Sequence, residues 1–139
     1  MKLFVLGCGS IGSRHTRNLL ALGHTVYVYD KDTAKMQKLV DETGVKVLNY
    51  TSQHVPIDGW LICTPPELHV GFAMMALKQG CHVFIEKPIS STLVTPEGSV
   101  EELIALAHNR NLVLTVGYQM RYDIGLQKIK DLLDKKAFG

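Results

Sequence analysis

The sequence predicts an α/β fold: a doubly wound parallel sheet with six strands expected. Apolar runs of strand length alternate with amphipathic helical stretches along the chain. The runs are near-continuous in hydrophobicity, as in strands covered on both faces, and right-handed crossovers then give the doubly wound arrangement.

The first strand is read in Lys2–Leu6, and a helix follows from about Ile11 to Leu22, closed by Gly23 as a left-handed residue. Thr25–Tyr29, rich in β-branched and aromatic residues, is the second strand. Thr33–Thr43 carries Ala34, Met36, Leu39 and Val40 as a helical stripe ended by Gly44, and Val45–Tyr50 is the third strand. The connector Thr51–Asp58 is too short and polar for a helix, and Gly59–Thr64 is the fourth strand. Pro66 suits the first turn of a helix that runs toward Gly80. His82–Glu86 is the fifth strand. Thr95, before Pro96 and Glu97, reads as the start of the next helix, with Val100, Leu103, Ile104 and Ala107 on its apolar face. Leu112–Gly117 is the sixth strand. A last helix, about 124–135, shows Leu126, Ile129, Leu132 and Leu133 on one face, a candidate surface for self-association into a homo-oligomer.

With 139 residues, 46% of them hydrophobic, the chain can build one domain with a buried core. A net charge of +2 without a long Lys/Arg run argues against a nucleic-acid partner. No apolar run approaches the roughly 20 residues that span a bilayer, so no membrane association is expected. The apolar start is a strand running into glycines, not a leader, and the expected location is cytoplasmic. Cys8, Cys63 and Cys81 lack metal-type spacing and read as reduced interior thiols, with no metal site expected.

Gly7, Gly9 and Gly12 stand in G-x-G-x-x-G order, directly after the first strand, with Ser10 and Ile11 between the last two. Gly7 permits the tight turn, Gly9 lets a pyrophosphate approach the backbone, and Gly12 lets helix and strand pack closely. The amides and positive end of the helix would hold the phosphates. Asp30 closes the second strand 18 residues after Gly12, near the spacing of a carboxylate that binds an adenosine ribose. A carboxylate there repels a 2′-phosphate and favours NAD; neighbouring Lys31 keeps NADP open. The same loop also suits S-adenosylmethionine enzymes, so later motifs must decide.

Those motifs are Cys63–His69 (CTPPELH), Glu86–Pro88 (EKP) and Gly117–Tyr122 (GYQMRY). Each follows a strand, at the carboxyl end, where ligands bind in open parallel sheets. Lys87 is thereby aimed at the cofactor edge, and Pro88 fixes its turn.

Together with GCGSIGSRH and HVFIEKPIS, these segments resemble the nucleotide-binding domain of the Gfo/Idh/MocA oxidoreductases, over roughly residues 2–122 and in order. The resemblance implies a Rossmann dinucleotide-binding domain over 1–122. It implies nicotinamide-dependent oxidation or reduction at a hydroxyl carbon of a sugar, a cyclitol or a related small polyhydroxylated substrate. It implies Lys87 as the catalytic residue beside the nicotinamide, able to hydrogen-bond an alkoxide and to move a proton. Glu86 is expected to pair with Lys87 or hold the strand end. Thr64, Pro65 and Pro66 would wall the nicotinamide ribose, with His69 facing the same edge or standing on the helix surface. Gln119 and Arg121 would contribute at the nicotinamide and substrate side, although Gln119 stands where the family usually has asparagine. His15, with Ser13 and Arg14, is expected as a packing or helix-surface residue. The family carries a second, substrate-binding domain that supplies another acid/base. Residues 123–139 read as a helix leading toward that domain, whose motifs are not in this sequence. Two uses stay open: an oxidoreductase's cofactor domain, with little turnover alone, or a non-catalytic dinucleotide-binding sensor or partner subunit.

Overall fold

The computed structural model describes residues 1–51, 55–92 and 94–136. Six strands form one parallel sheet in the order β3-β2-β1-β4-β5-β8, comprising β1 (Lys2–Leu6), β2 (Thr25–Tyr29), β3 (Lys46–Val47), β4 (Gly59–Ile62), β5 (His82–Ile85) and β8 (Leu114–Val116). The order reverses between β1 and β4, which creates the crevice of a doubly wound sheet.

Each strand serves two cores. Phe4, Leu6, Trp60, Ile62, Val83 and Ile85 face α3 (His69–Lys78) and α4 (Val100–Asn109), against Ala73, Leu77 and Leu103. Val5, Val26 and Val28 point the other way, toward α1 (Ser10–Ala21) and α2 (Thr33–Thr43), where Leu39 is fully buried and Leu19, Leu20 and Met36 pack. Alternation of the side chains along each strand sends them to both layers, which is why the strands read as continuous apolar runs. The last helix, α5 (Ile124–Asp134), buries none of its residues, and Ile124, Leu126, Ile129 and Leu133 are exposed.

The strand expected at 45–50 pairs only over Lys46–Val47. Leu48 still donates to the Val28 carbonyl at 3.0 Å, but the Asn49 side chain then accepts from the Thr51 N–H at 3.1 Å, and this local turn replaces the ladder. Of the connector 51–58, residues 52–54 lie outside the described residues, as do 137–139 at the end of the expected final segment.

The helix start expected at Thr95 is corrected. Val94–Thr95 (β6) and Gly98–Ser99 (β7) form a small antiparallel hairpin, closed by the Thr95 hydroxyl on the Gly98 carbonyl at 2.9 Å. Ser99 caps α4 instead: its hydroxyl accepts from the Glu102 N–H at 3.1 Å, and the Glu102 carboxylate accepts from the Ser99 N–H at 2.8 Å. That reciprocal box satisfies two helix-end donors at once, which Thr95 with proline at the next position does not. Among the described residues no helix is long and apolar enough to cross a membrane.

Candidate functional site

The glycine loop is shaped by what surrounds it. Gly7 has φ +102, and a Cβ there would lie 2.6 Å from the Cys63 carbonyl oxygen of β4's exit. A Cβ on Gly12 would lie 1.8 Å from the Gly7 carbonyl oxygen, so α1 sits against the loop only because residue 12 has no side chain. Gly9 differs: a Cβ there meets nothing within 4 Å, so the space above it is open. Gly9 is also the N-cap of α1 and gives it no side-chain cap, and the first turn has no acidic residue. The amide end of this helix therefore faces open space, an arrangement suited to an anion.

Asp30 closes the loop from β2. Its carboxylate accepts from the Cys8 N–H at 2.6 Å and from the Asp32 N–H at 2.8 Å. Burial, with the Asp30 charge second, pushes the Cys8 thiol up to about 12, and burial does the same for Cys63. All three cysteines are free.

Two adjoining cavities open along the carboxyl edge and share Cys63 and Thr64 as their common wall. The smaller, about 420 Å³, is lined by Gly7, Gly9, Asp30, Lys31 and Pro65, with an aromatic and aliphatic floor of Tyr29, Tyr50, Leu68 and Phe72. The larger, about 730 Å³, is lined by Ile11, His15, Pro66, Phe84, Glu86, Lys87 and Gln119, among others. Ser10 stands on the outer side of the loop beside Arg17 and Lys38. Loops from five strands thus meet at one rim.

Lys87 is exposed, and among the described residues its amine has no hydrogen-bond or ion-pair partner. Glu86 does not pair with that amine. His15 Nε2 lies 2.7 Å from Glu86 Oε1, while Glu86 Oε2 accepts from the Lys87 N–H at 3.2 Å. Gly117 allows this packing, since a Cβ there would come within 3.2 Å of Glu86 Oε1 and 2.8 Å of the Phe84 ring. His15, expected as a packing or helix-surface residue, packs its ring edge-on against Phe84 and also lines the larger cavity.

The reading of His69 as facing the cofactor edge or standing on the helix surface is corrected. The residue is only 1% exposed, and its ring nitrogens lie 2.8 Å from the Thr64 and Pro88 carbonyl oxygens. With both nitrogens occupied and no exposed face, the ring cannot reach a cofactor. Arg121 does not line either cavity; it is exposed on the turn before α5, where its carbonyl accepts from Gln127 Nε2 at 2.9 Å.

The residues present fit a dinucleotide. The Thr64 hydroxyl, on the wall between the cavities, is buried without a partner among the described residues, a cost that a bound ligand would relieve. The open space over Gly9 is where a phosphate would lie. The aromatic floor of the smaller cavity has no motif to announce it in the sequence; the only hint is the alternation of Tyr27 and Tyr29 along β2. Among the described residues no His/Cys/Asp/Glu group could hold a metal ion.

Residues 1–118 match a family model described as "Oxidoreductase family, NAD-binding Rossmann fold" (GFO_IDH_MocA). The whole chain aligns at 30% identity with the inositol 2-dehydrogenase of Burkholderia ambifaria, covering 43% of that protein. Among solved structures, it superposes with a TM-score of 0.84 on scyllo-inositol dehydrogenase from Lactobacillus casei with bound NAD(H) and scyllo-inositol, at 26% identity, covering 100% of this chain and 42% of that one. It superposes with a TM-score of 0.78 on the UDP-N-acetylglucosamine 3-dehydrogenase GnnA of Acidithiobacillus ferrooxidans, at 27% identity, again covering 100% and 42%. The chain thus spans less than half the length of these relatives.

Proposed function

The chain belongs to the Gfo/Idh/MocA oxidoreductase family, with its NAD-binding Rossmann fold, and from that premise we propose that it is the cofactor-binding part of a dehydrogenase acting at a hydroxyl carbon of a cyclitol or sugar. The observation that carries this reading is the shared wall at Thr64. Among the described residues, a hydroxyl buried without a partner stands between a cavity ending at Asp30 and one ending at a Lys87 amine that likewise has none.

In this reading the adenosine end occupies the smaller cavity, over Tyr29, Tyr50 and Phe72. The Asp30 oxygens each accept one backbone bond, which leaves lone pairs for ribose hydroxyls. Gly9 and the first turn of α1 hold the pyrophosphate. Thr64 and Pro66 bound the nicotinamide ribose. When bound, the nicotinamide supplies hydride transfer. Lys87 donates a hydrogen bond to the substrate oxygen and takes or returns its proton, which requires that Glu86 not neutralise it; His15 and the Lys87 backbone keep that carboxylate occupied. Substrate choice and a second acid/base would come from elsewhere in a longer assembly, so this chain alone turns over little. NAD is preferred to NADP because the Asp30 carboxylate repels a 2′-phosphate.

Calorimetric titration with NADH, NADPH and S-adenosylmethionine tests the reading. NADH should bind tightest, and Lys87→Ala should retain that binding. Preference for S-adenosylmethionine would overturn the assignment.

A further inference from the structure

Only two polar side chains among the described residues are fully buried, Thr16 and His69. Thr16 has an ordinary role within its own helix, donating to the Gly12 carbonyl at 2.9 Å. His69 instead reaches outside its helix in two directions. Nε2 meets the Thr64 carbonyl at the exit of β4, and Nδ1 meets the Pro88 carbonyl, one residue beyond Lys87, both at 2.8 Å. Carbonyl oxygens only accept, so a ring N–H donates to at least one of them, and the buried ring spans the two segments.

We propose that His69 is a positioning residue for Lys87: its buried ring bridges the two carbonyls and locks the Thr64 wall and the Lys87–Pro88 turn into one rigid rim. The strut explains how an exposed lysine on a loop is held in register with a wall on another strand's exit. Lys87 itself has no side-chain anchor among the described residues, and the Pro88 nitrogen offers no N–H. The carbonyl held by His69 is the nearest fixed point after it.

Two measurements test the strut, and the second rests on the dinucleotide reading. Nitrogen-edited NMR of the native chain should show an exchange-protected ring N–H on His69; a ring N–H that exchanges as freely as that of an exposed histidine overturns the proposal, whatever the cofactor. Then NADH and ADP, which lacks the nicotinamide and its ribose, are titrated into His69→Phe and His69→Gln. Loss of the strut should loosen the Thr64 wall and so weaken NADH about tenfold, the size of one or two hydrogen bonds lost, and leave ADP within about twofold. His69→Gln, which keeps one donor, should fall between. Equal loss for both ligands, or no loss for either, overturns the positioning role. Should His69→Phe fail to fold, the ring N–H protection and His69→Gln still decide. Failure of the native chain to bind NADH would instead reject the cofactor assignment and leave the ring N–H result standing.

Discussion

His15 Nε2 lies 2.7 Å from Glu86 Oε1, and this contact ties the helix that opens on the glycine loop to the strand end that carries Lys87. The pair is partly buried, with side-chain exposures of 25% and 17%, so solvent weakens it without abolishing it. A double-mutant cycle of His15→Ala and Glu86→Ala, followed by urea denaturation, should give a coupling of about 1 kcal/mol. The singles should also differ in kind. Glu86→Ala additionally removes the acceptor of the Lys87 N–H, so it should be the more damaging of the two. A coupling of zero would mean that the helix and the strand end are held by packing alone.

Gly9 and Gly12 should separate binding from folding. Gly12→Ala forces a Cβ to within 1.8 Å of a backbone oxygen, and backbone cannot yield cheaply; the variant should lose more than about 3 kcal/mol of stability or fail to fold. Gly9→Ala meets open space at an ordinary φ of -66, so its stability cost should stay near the ~1 kcal/mol of a poorer N-cap. Its methyl group nevertheless enters the space assigned to the pyrophosphate. NADH affinity should fall by an order of magnitude or more in a chain that melts almost normally. Unchanged affinity would place the phosphates elsewhere.

What the sequence made legible follows from what is local. β2 and α2 were readable to the residue because their signals are local: a β-branched and aromatic run for one, and for the other a helical stripe that Gly44 ends at φ +69. The glycine loop with Asp30 was equally readable, since its spacing alone encodes the turn. The orientation of His69 was not. In the first turn of a helix it reads as facing the cofactor edge or standing on the helix surface, and only the return of the chain 19 residues later, at Pro88, buries its ring. The same holds for His15, whose partner lies 71 residues away. The hairpin at 94–99 was missed because Thr-Pro-Glu imitates a helix start, while the better box, Ser99 with Glu102, stood four residues on.

The buried thiols make the fold sensitive to alkali. Cys8 and Cys63 are raised from 9.0 to about 12 in the folded chain, chiefly by burial. A raised folded value means that the native state holds its proton more tightly than the unfolded state. The resulting stability is complete below pH 9.0 and is lost as pH climbs toward about 12. Urea midpoints should therefore decline steadily through that window. Cys63→Ala should start lower, having lost a packed side chain, and decline with a shallower slope. Equal slopes for native and variant chains would show that other groups drive the alkaline loss. In the native fold near neutrality, neither thiol should react readily with an alkylating reagent.

Asp30 joins loop architecture to cofactor choice, and one substitution can read both. Its two oxygens each take a backbone donor, Cys8 N–H at 2.6 Å and Asp32 N–H at 2.8 Å. Asp30→Asn keeps one oxygen and turns an NH₂ toward the other donor, so one backbone N–H loses its acceptor. That should cost about 1–3 kcal/mol of stability, visible as a lower melting temperature. The charge is lost as well. Lys31 and Lys35 line the same cavity, so removal of the carboxylate leaves a net positive surface where a 2′-phosphate would stand. NADH should bind more weakly because its ribose hydroxyls lose a charged acceptor, and NADPH should bind more strongly because a repulsion disappears. The NADH-to-NADPH affinity ratio should therefore shift toward NADPH by about tenfold or more, corresponding to ~1.4 kcal/mol of changed electrostatics. The two readouts are separable, since a loss confined to folding would lower both affinities in parallel. A melting temperature that drops while the ratio stays fixed would mean that Asp30 serves the loop alone and that the ribose lies beyond its reach.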